Sequence, residues 1–311
     1  MILYRWQGRA RNFGDELNAV LWPKLLPGFF DDDPSARFLG IGSVLDSRHD
    51  PHVIKIVAGA GYGGYEPPAG LDATWHIHWV RGPRSARQLG IDPGFGLGDP
   101  ASLLPMTGVA AGVSNGSIGF MPHFESIARG AWQQAAAVAG LTLIDPRGDP
   151  LAIIEAIRGC RVLLSEALHG VIVADALRVP WVPLMPVARV HRAKWHDWAE
   201  SLGLDLRFQP LPASSMPERM HASRLASLHA GRHLLNQHAD WLRPAAAEWL
   251  IARAARALHA AAAAPPSLSA DRALSRAQDR MMERAVALRR AACRTYLRPC
   301  GVSAYEIGLI G

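Results

Sequence analysis

Cysteine is scarce in this sequence: Cys160, Cys293 and Cys300 are the only three among 311 residues. The number is odd and no pair is spaced as Cys-x-x-Cys. The chain therefore carries neither a disulfide framework nor a zinc site of the paired-ligand kind, and the thiols read as small buried or incidental groups. Long apolar runs are also missing. No stretch of about 18 uncharged apolar residues suggests a membrane-spanning helix. The first residues, Met1-Ile2-Leu3-Tyr4-Arg5-Trp6, lack the basic start and long apolar segment of a signal peptide. A cytoplasmic protein is expected. The net charge of +6 and isoelectric point near 9.6 would suit an anionic partner. The arginines are scattered, however, with no Lys/Arg block, no zinc-finger spacing and no aromatic ribonucleoprotein motif, so no nucleic-acid partner is expected. Gly40-Ile41-Gly42-Ser43 and Gly59-Ala60-Gly61 let backbone amides approach an anion but spell neither the dinucleotide fingerprint nor a P-loop.

With 49% hydrophobic residues, the chain has enough apolar material for two cores, and two domains are the default at this length. Short apolar runs at residues 37–43 and 53–64 end in glycines, as buried parallel strands do. Residues 76–80 alternate and then pass through a turn into a helix at 84–89, and residues 101–104 form one helical turn. A polar glycine-rich stretch, 107–117, reads as a hinge. Beyond it, strands are expected at 118–122, 141–144 and 162–165, and helices at 127–139, 150–158 and 169–177. A proline-flanked strand at 180–184 belongs at a sheet edge. The expectation is an α/β protein with two Rossmann-like domains, residues 1–112 and 113–243, facing across a cleft. An Ala/Arg-rich helical extension, 244–311, follows. In its second helix, 271–297, Leu274, Met281, Ala285, Leu288 and Ala292 form an apolar stripe, while Arg272, Arg276, Arg280 and Arg284 recur on another face. That row is either a solvated face or a surface for anionic lipid.

Several residues have the chemistry of a site, each with a structural reading beside the functional one. Asn12 and Asp15 stand at a helix start, where they can cap backbone N–H groups or contact substrate. Arg81 and Arg84 flank a turn at a strand's carboxyl end, as an anion-binding pair or as solvated arginines. His123 ends a strand of the second half and points to the same cleft. The apolar strand 162–164 delivers Ser165 and Glu166 to its end, and His169 and Gly170 begin a helix whose N–H groups attract anions. An imidazole placed there can donate a proton next to a bound phosphate. Residues 191–198, with Lys194 and Asp197, can grip a sugar or simply cover the sheet edge.

Taken in order, residues 12–18, 40–45, 80–86, 98–104, 119–126, 165–180 and 194–197 resemble the polysaccharide pyruvyl transferase family, in particular bacterial members that place pyruvate ketals on exopolysaccharide repeat units. The resemblance implies a GT-B-like fold, no metal or organic cofactor, and phosphoenolpyruvate as donor. The acceptor would be a sugar, lipid-linked in one version, with peripheral contact at the inner membrane. It implies that His169 is the general acid and that Asp15 activates or orients the acceptor hydroxyl. Donor contacts would come from Arg81, Arg84, His123, Ser165, Glu166, Gly170, Gly42 and Ser43, and acceptor contacts from Asn12, Lys194 and Asp197. Many relatives have an arginine two positions before the histidine. Here that position is Ala167, so Arg84, His123 or Lys194 is expected to substitute. A nucleotide-sugar glycosyltransferase and a non-catalytic assembly protein are the alternatives.

Overall fold

The computed structural model describes residues 1–8, 10–31, 33–222 and 243–295. Its framework is two four-stranded sheets, each wholly parallel. The first contains β1 (Ile2–Leu3), β2 (Ala36–Leu39), β3 (Ile54–Ala58) and β4 (Trp75–Trp79), side by side in chain order. Helix α1 (Phe13–Leu25) connects β1 to β2, and α2 (Pro83–Gln88) follows β4. The second sheet contains β5 (Ile118–Met121), β6 (Thr142–Leu143), β7 (Val162–Ser165) and β8 (Trp181–Pro183), in the order β6-β5-β7-β8. Helices α3 (Phe124–Arg129) and α4 (Trp132–Ala139) join β5 to β6, α5 (Pro150–Gly159) joins β6 to β7, and α6 (Leu168–Ala176) joins β7 to β8. Helices α7 (Ala193–Leu202), α8 (Met216–Ala222), α9 (Arg243–Ala262) and α10 (Asp271–Thr295) complete the described chain.

Local chemistry explains the boundaries. Every residue of β7 is buried, as expected for a strand covered on both faces by crossover helices. The side chain of Asp149 accepts the N–H groups of Leu151 and Ala152, and Pro150 occupies the first turn, which together start α5. β8 lies at the sheet edge, where its prolines are tolerated. Two expectations need correction. The single helix foreseen at 127–139 is two, because α3 ends at an extended Gly130 and α4 starts afresh. The turn foreseen at 101–104 is a longer 3-10 helix, Pro100–Thr107, whose start is held by the Asp99 carboxylate accepting the N–H of Ala101 at 3.0 Å. Pro105 within it lacks the donor that an α-helix would use.

This 3-10 helix packs against both α1 and α6, and its Leu103 and Leu104 share one buried cluster with Leu17 and Trp22 of α1 and Val171 and Ile172 of α6. The core is thus continuous between the two sheets. The C-terminal helices add to it from both ends: α9 packs on α4 and β7, while α10 returns to the first half and lies against the 3-10 helix, β4 and α7. Leu274, Met281, Ala285 and Leu288 are buried there as their spacing foretold, and the side chain of Ala292 lies outside the described residues. Arg272, Arg276, Arg280 and Arg284 are exposed. Cys160 is buried, and Cys300 falls beyond the described residues. Among the described residues, no helix is long and apolar enough to cross a membrane.

Asp175 of α6 ties the approach to α10 to the second sheet. Its carboxylate accepts the indole N–H of Trp181 at 2.9 Å, the N–H of Ser269 at 2.8 Å and the Ser269 hydroxyl at 2.5 Å. Asp175→Asn replaces one acceptor oxygen with a donor that faces other donors. It is expected to cost about 2–3 kcal/mol of unfolding free energy, since hydrogen bonds to a buried charge are worth that much, as measured by urea denaturation.

Candidate active site

Both halves contribute to one cavity of about 220 Å³. The first half supplies Trp6, Asn12, Gly14, Asp15, Gly42, Ser43, Arg48 and Tyr65, and the second supplies His123, Phe124, Glu125, Ala167, His169, His191 and Lys194. The elements that place them are the N-terminal turns of α1 and α6, the loops after β2 and β3, the end of β5 and the start of α7.

His169 is the best-defined group. It occupies the first turn of α6, and its ring lies against the first turn of α1 so closely that a Cβ on Gly14 would stand 2.0 Å from Nδ1. Its Nε2 is buried and lies 3.4 Å from Oδ2 of Asp99, a carboxylate with no exposure to solvent. Neither atom has a hydrogen-bond partner among the described residues. A buried carboxylate facing one ring nitrogen orients the imidazole, which leaves Nδ1 as the nitrogen for exchange with a substrate. Asp99 was not among the residues expected at the site, and nothing in its spacing from His169 announces the pair.

Asp15 sits beside this histidine. Its Oδ2 accepts the Asn12 amide at 2.6 Å, and neither Asn12 nor Asp15 acts as a side-chain cap of α1. Burial raises the Asp15 carboxyl above its ordinary range, partly offset by Asn12, His169 and Lys194. Gly42, beside Oδ1 of Asp15, has φ +138°, a backbone conformation that residues with side chains rarely adopt. Lys194 acts electrostatically on Asp15, His123 and His191, and no hydrogen bond from its ammonium occurs among the described residues. Arg48, missed in the sequence, lines the wall while held by Asp46 through two contacts of 2.6 Å.

His123 caps α3, accepting the N–H of Glu125 through Nδ1 at 3.4 Å. Its ring stacks on His191 with centroids 4.0 Å apart. Burial, with Lys194 and His191 nearby, holds His123 well below the usual histidine range. Glu125 is held down at about 2 by its hydrogen bond to His191, with Arg129 adding to the effect. Ligand atoms of His123, Glu125 and His191 lie within 4.8 Å of one another. The two imidazoles are stacked, Glu125 lies within hydrogen-bond distance of His191 and bonds Arg129, and Lys194 adds a cation beside the cluster.

Six residues expected at the site stand behind the cavity instead. Arg81 is fully buried and each of its three nitrogens makes a hydrogen bond: Nε to Asp197 at 3.0 Å, Nη1 to the Ser43 hydroxyl at 2.7 Å and Nη2 to the Tyr62 carbonyl at 2.9 Å. Asp197 also accepts the N–H and hydroxyl of Ser85, so it closes the first turn of α2 rather than meeting an acceptor. Arg84 is exposed and paired with Glu200 at 2.9 Å. Glu166, fully buried, accepts the N–H groups of His123 and Val187 and the Ser126 hydroxyl. Burial pushes its carboxyl up to about 7. The Ser165 hydroxyl bonds the Met121 and Ala167 carbonyls, and Gly170 allows α6 to pass close to Ser165 and Met121.

Comparison with known proteins matches residues 59–186 to the family model for polysaccharide pyruvyl transferase. The succinoglycan biosynthesis protein ExoV of Rhizobium meliloti (strain 1021) is 37% identical over 220 residues, 70% of each chain. The chain belongs to the polysaccharide pyruvyl transferase family. Membership makes it a transferase. No solved structure matches it. The span matched by the family model holds Asp99, His123, Glu166 and His169, whereas Asp15 and Lys194 lie outside it.

In this pyruvyl transferase family member, Asp99→Asn is expected to lower kcat by about 10²–10³-fold, within the range of general acid–base catalysis, with substrate KM within threefold. A loss under tenfold would remove Asp99 from the machinery. Gly14→Ala should act in the same direction by displacing the imidazole, with the far-ultraviolet circular dichroism unchanged.

Proposed function

We propose that this protein transfers the pyruvyl group of phosphoenolpyruvate to two hydroxyls of one sugar in an exopolysaccharide repeat unit, forming a ketal and releasing phosphate. The observation that carries the reading is His169 at the cavity wall with its far nitrogen on the buried Asp99. Family membership and the succinoglycan relative support the substrate class. In this reading, Nδ1 of His169 protonates the donor's methylene carbon as a sugar hydroxyl attacks the neighbouring carbon. Asp15, steadied by Asn12, orients the acceptor. Trp6 and Phe124, whose rings are 6.1 Å apart across the two halves, offer faces for a sugar ring.

The donor is a dianionic phosphate joined to a carboxylate, and its anion contacts fall to Lys194, Arg48, Ser43 and the first turn of α6. Lys194 takes the part that many relatives give to the arginine replaced by Ala167. Arg84 is committed to Glu200 outside the cavity, and His123 is kept neutral by burial. The two sheets act as a GT-B-type pair of Rossmann-like domains, 1–112 and 113–243, and the chemistry needs no metal or organic cofactor. A lipid-linked acceptor would bring this cytoplasmic enzyme to the inner membrane, with the exposed arginine row of α10 toward the anionic headgroups.

The assay is phosphate release from phosphoenolpyruvate with an exopolysaccharide repeat unit as acceptor, followed by nuclear magnetic resonance of the ketal methyl group. One phosphate per ketal is expected, and nucleotide sugars should release no nucleotide. The opposite pattern would make the protein a glycosyltransferase. Lys194→Ala is expected to raise the KM for phosphoenolpyruvate at least tenfold, about 1.4 kcal/mol of lost binding. Arg84→Ala should leave it unchanged.

A further inference from the structure

A second chain of titratable groups crosses the same cavity. The Tyr65 hydroxyl, from the loop after β3, lies 3.0 Å from Nδ1 of His191, and Nε2 of His191 lies 3.4 Å from Oε2 of Glu125 in α3. All three line the cavity, and Tyr65 is 37% exposed while His191 is buried. Glu125 is a carboxylate and only accepts, so Nε2 of His191 carries the proton it shares with Glu125. A neutral ring then has its lone pair on Nδ1, directed at the Tyr65 hydroxyl. Tyrosine to histidine to carboxylate is the order in which a nucleophile, a base and an orienting acid are arranged in a catalytic triad. Here the hydroxyl comes from one half of the molecule and the base from the other.

We propose that Tyr65, His191 and Glu125 form a second proton-transfer unit, the base that takes the proton of the attacking sugar hydroxyl while His169 supplies one to the donor's methylene carbon. This rests on the pyruvyl-transfer reading above. A ketal needs two hydroxyls deprotonated in turn, and two units working in opposite phase balance the reaction. In the first addition, the sugar oxygen bonds to the central donor carbon. Its proton passes to Tyr65 as the tyrosine proton passes to Nδ1 of His191, and the methylene becomes a methyl with the proton from His169. In the second, the bond from that carbon to the phosphate oxygen breaks and the other hydroxyl adds. Its proton returns to His169, now a free base, and the His191 imidazolium gives its proton to the departing phosphate. Both histidines end as they began. Lys194 and His191 line the same cavity, so a phosphate held by Lys194 shares it with that proton.

The groups that face His191 set the pH at which the base works. Burial lowers its pKa, Glu125 opposes this, and Lys194 and His221 lower it further, with His123 stacked on the ring. The rate should therefore fall as acid protonates His191, below the ordinary histidine range. Glu125→Gln removes the group that favours the imidazolium, so the acid limb of kcat should move to lower pH as the plateau drops at least 100-fold. Tyr65→Phe should drop the plateau similarly, with the KM for phosphoenolpyruvate within threefold and an unchanged melting temperature. If wild-type protein releases phosphate and both variants stay within twofold of it, or if Glu125→Gln loses rate without moving the limb, the relay is wrong and pyruvyl transfer stands. If wild-type protein releases no phosphate from phosphoenolpyruvate with acceptor present, the pyruvyl-transfer reading fails and the relay falls with it.

Discussion

The contact between His169, Gly14 and Asp99 is the constraint on which the rest of the site depends. The imidazole belongs to the helix after β7, yet its two nitrogens are placed by residues of the other half, Nδ1 against α1 and Nε2 against the turn before the 3-10 helix. A relative shift of the halves by even an ångström would break that geometry, and misplacement on this scale is costly in catalysis. The continuous core through Leu103, Leu104 and Val171 opposes such a shift. So does the buried ion pair of Arg81 with Asp197, which joins the turn after β4 to α7. Buried pairs of this kind are weak stabilisers, because desolvation offsets much of their attraction. Their hydrogen bonds are directional, however, and here they set the register of two surfaces.

Much of the architecture was legible in the sequence because burial on both faces leaves a plain signature. The runs that became β3 and β7 are nearly all apolar, and the proline-flanked β8 took the sheet edge that its missing donors require. The stripe on α10 was legible for a similar reason, since helical periodicity records which face is covered. The break at Gly130 was less visible, because it depends on how His123 caps one short helix and how the next begins.

The site was only partly legible. Position at strand ends placed His169 and His123 toward one cleft, the family resemblance added Asp15 and Lys194, and all four line one cavity. Neither separated residues that face the cavity from those that hold its walls. Arg81 has the composition of an anion ligand, and only its buried partners show that each of its nitrogens is engaged inside the protein. Glu166 resembles an acid for catalysis, while its three donors make it the knot between β5, α3 and the loop at Val187. Asp99, Tyr65 and Glu125 drew no notice, because each acquires meaning only from a partner distant in sequence.

The return of α10 to the first half bears on the order in which the molecule is completed. Gln278 donates to the Ser102 carbonyl at 2.7 Å, and Met281 approaches Gly98, so the turn that holds Asp99 is clasped by residues synthesised long after both sheets. During translation, the strands, α1 and α6 can emerge and pair while this turn still lacks its cover. His169 is thus assembled early with its own half, but the carboxylate that faces it is seated only when nearly the whole described chain has left the ribosome. A nascent or truncated chain would then hold a folded cleft with an unsupported histidine, and competence would arrive later than compactness.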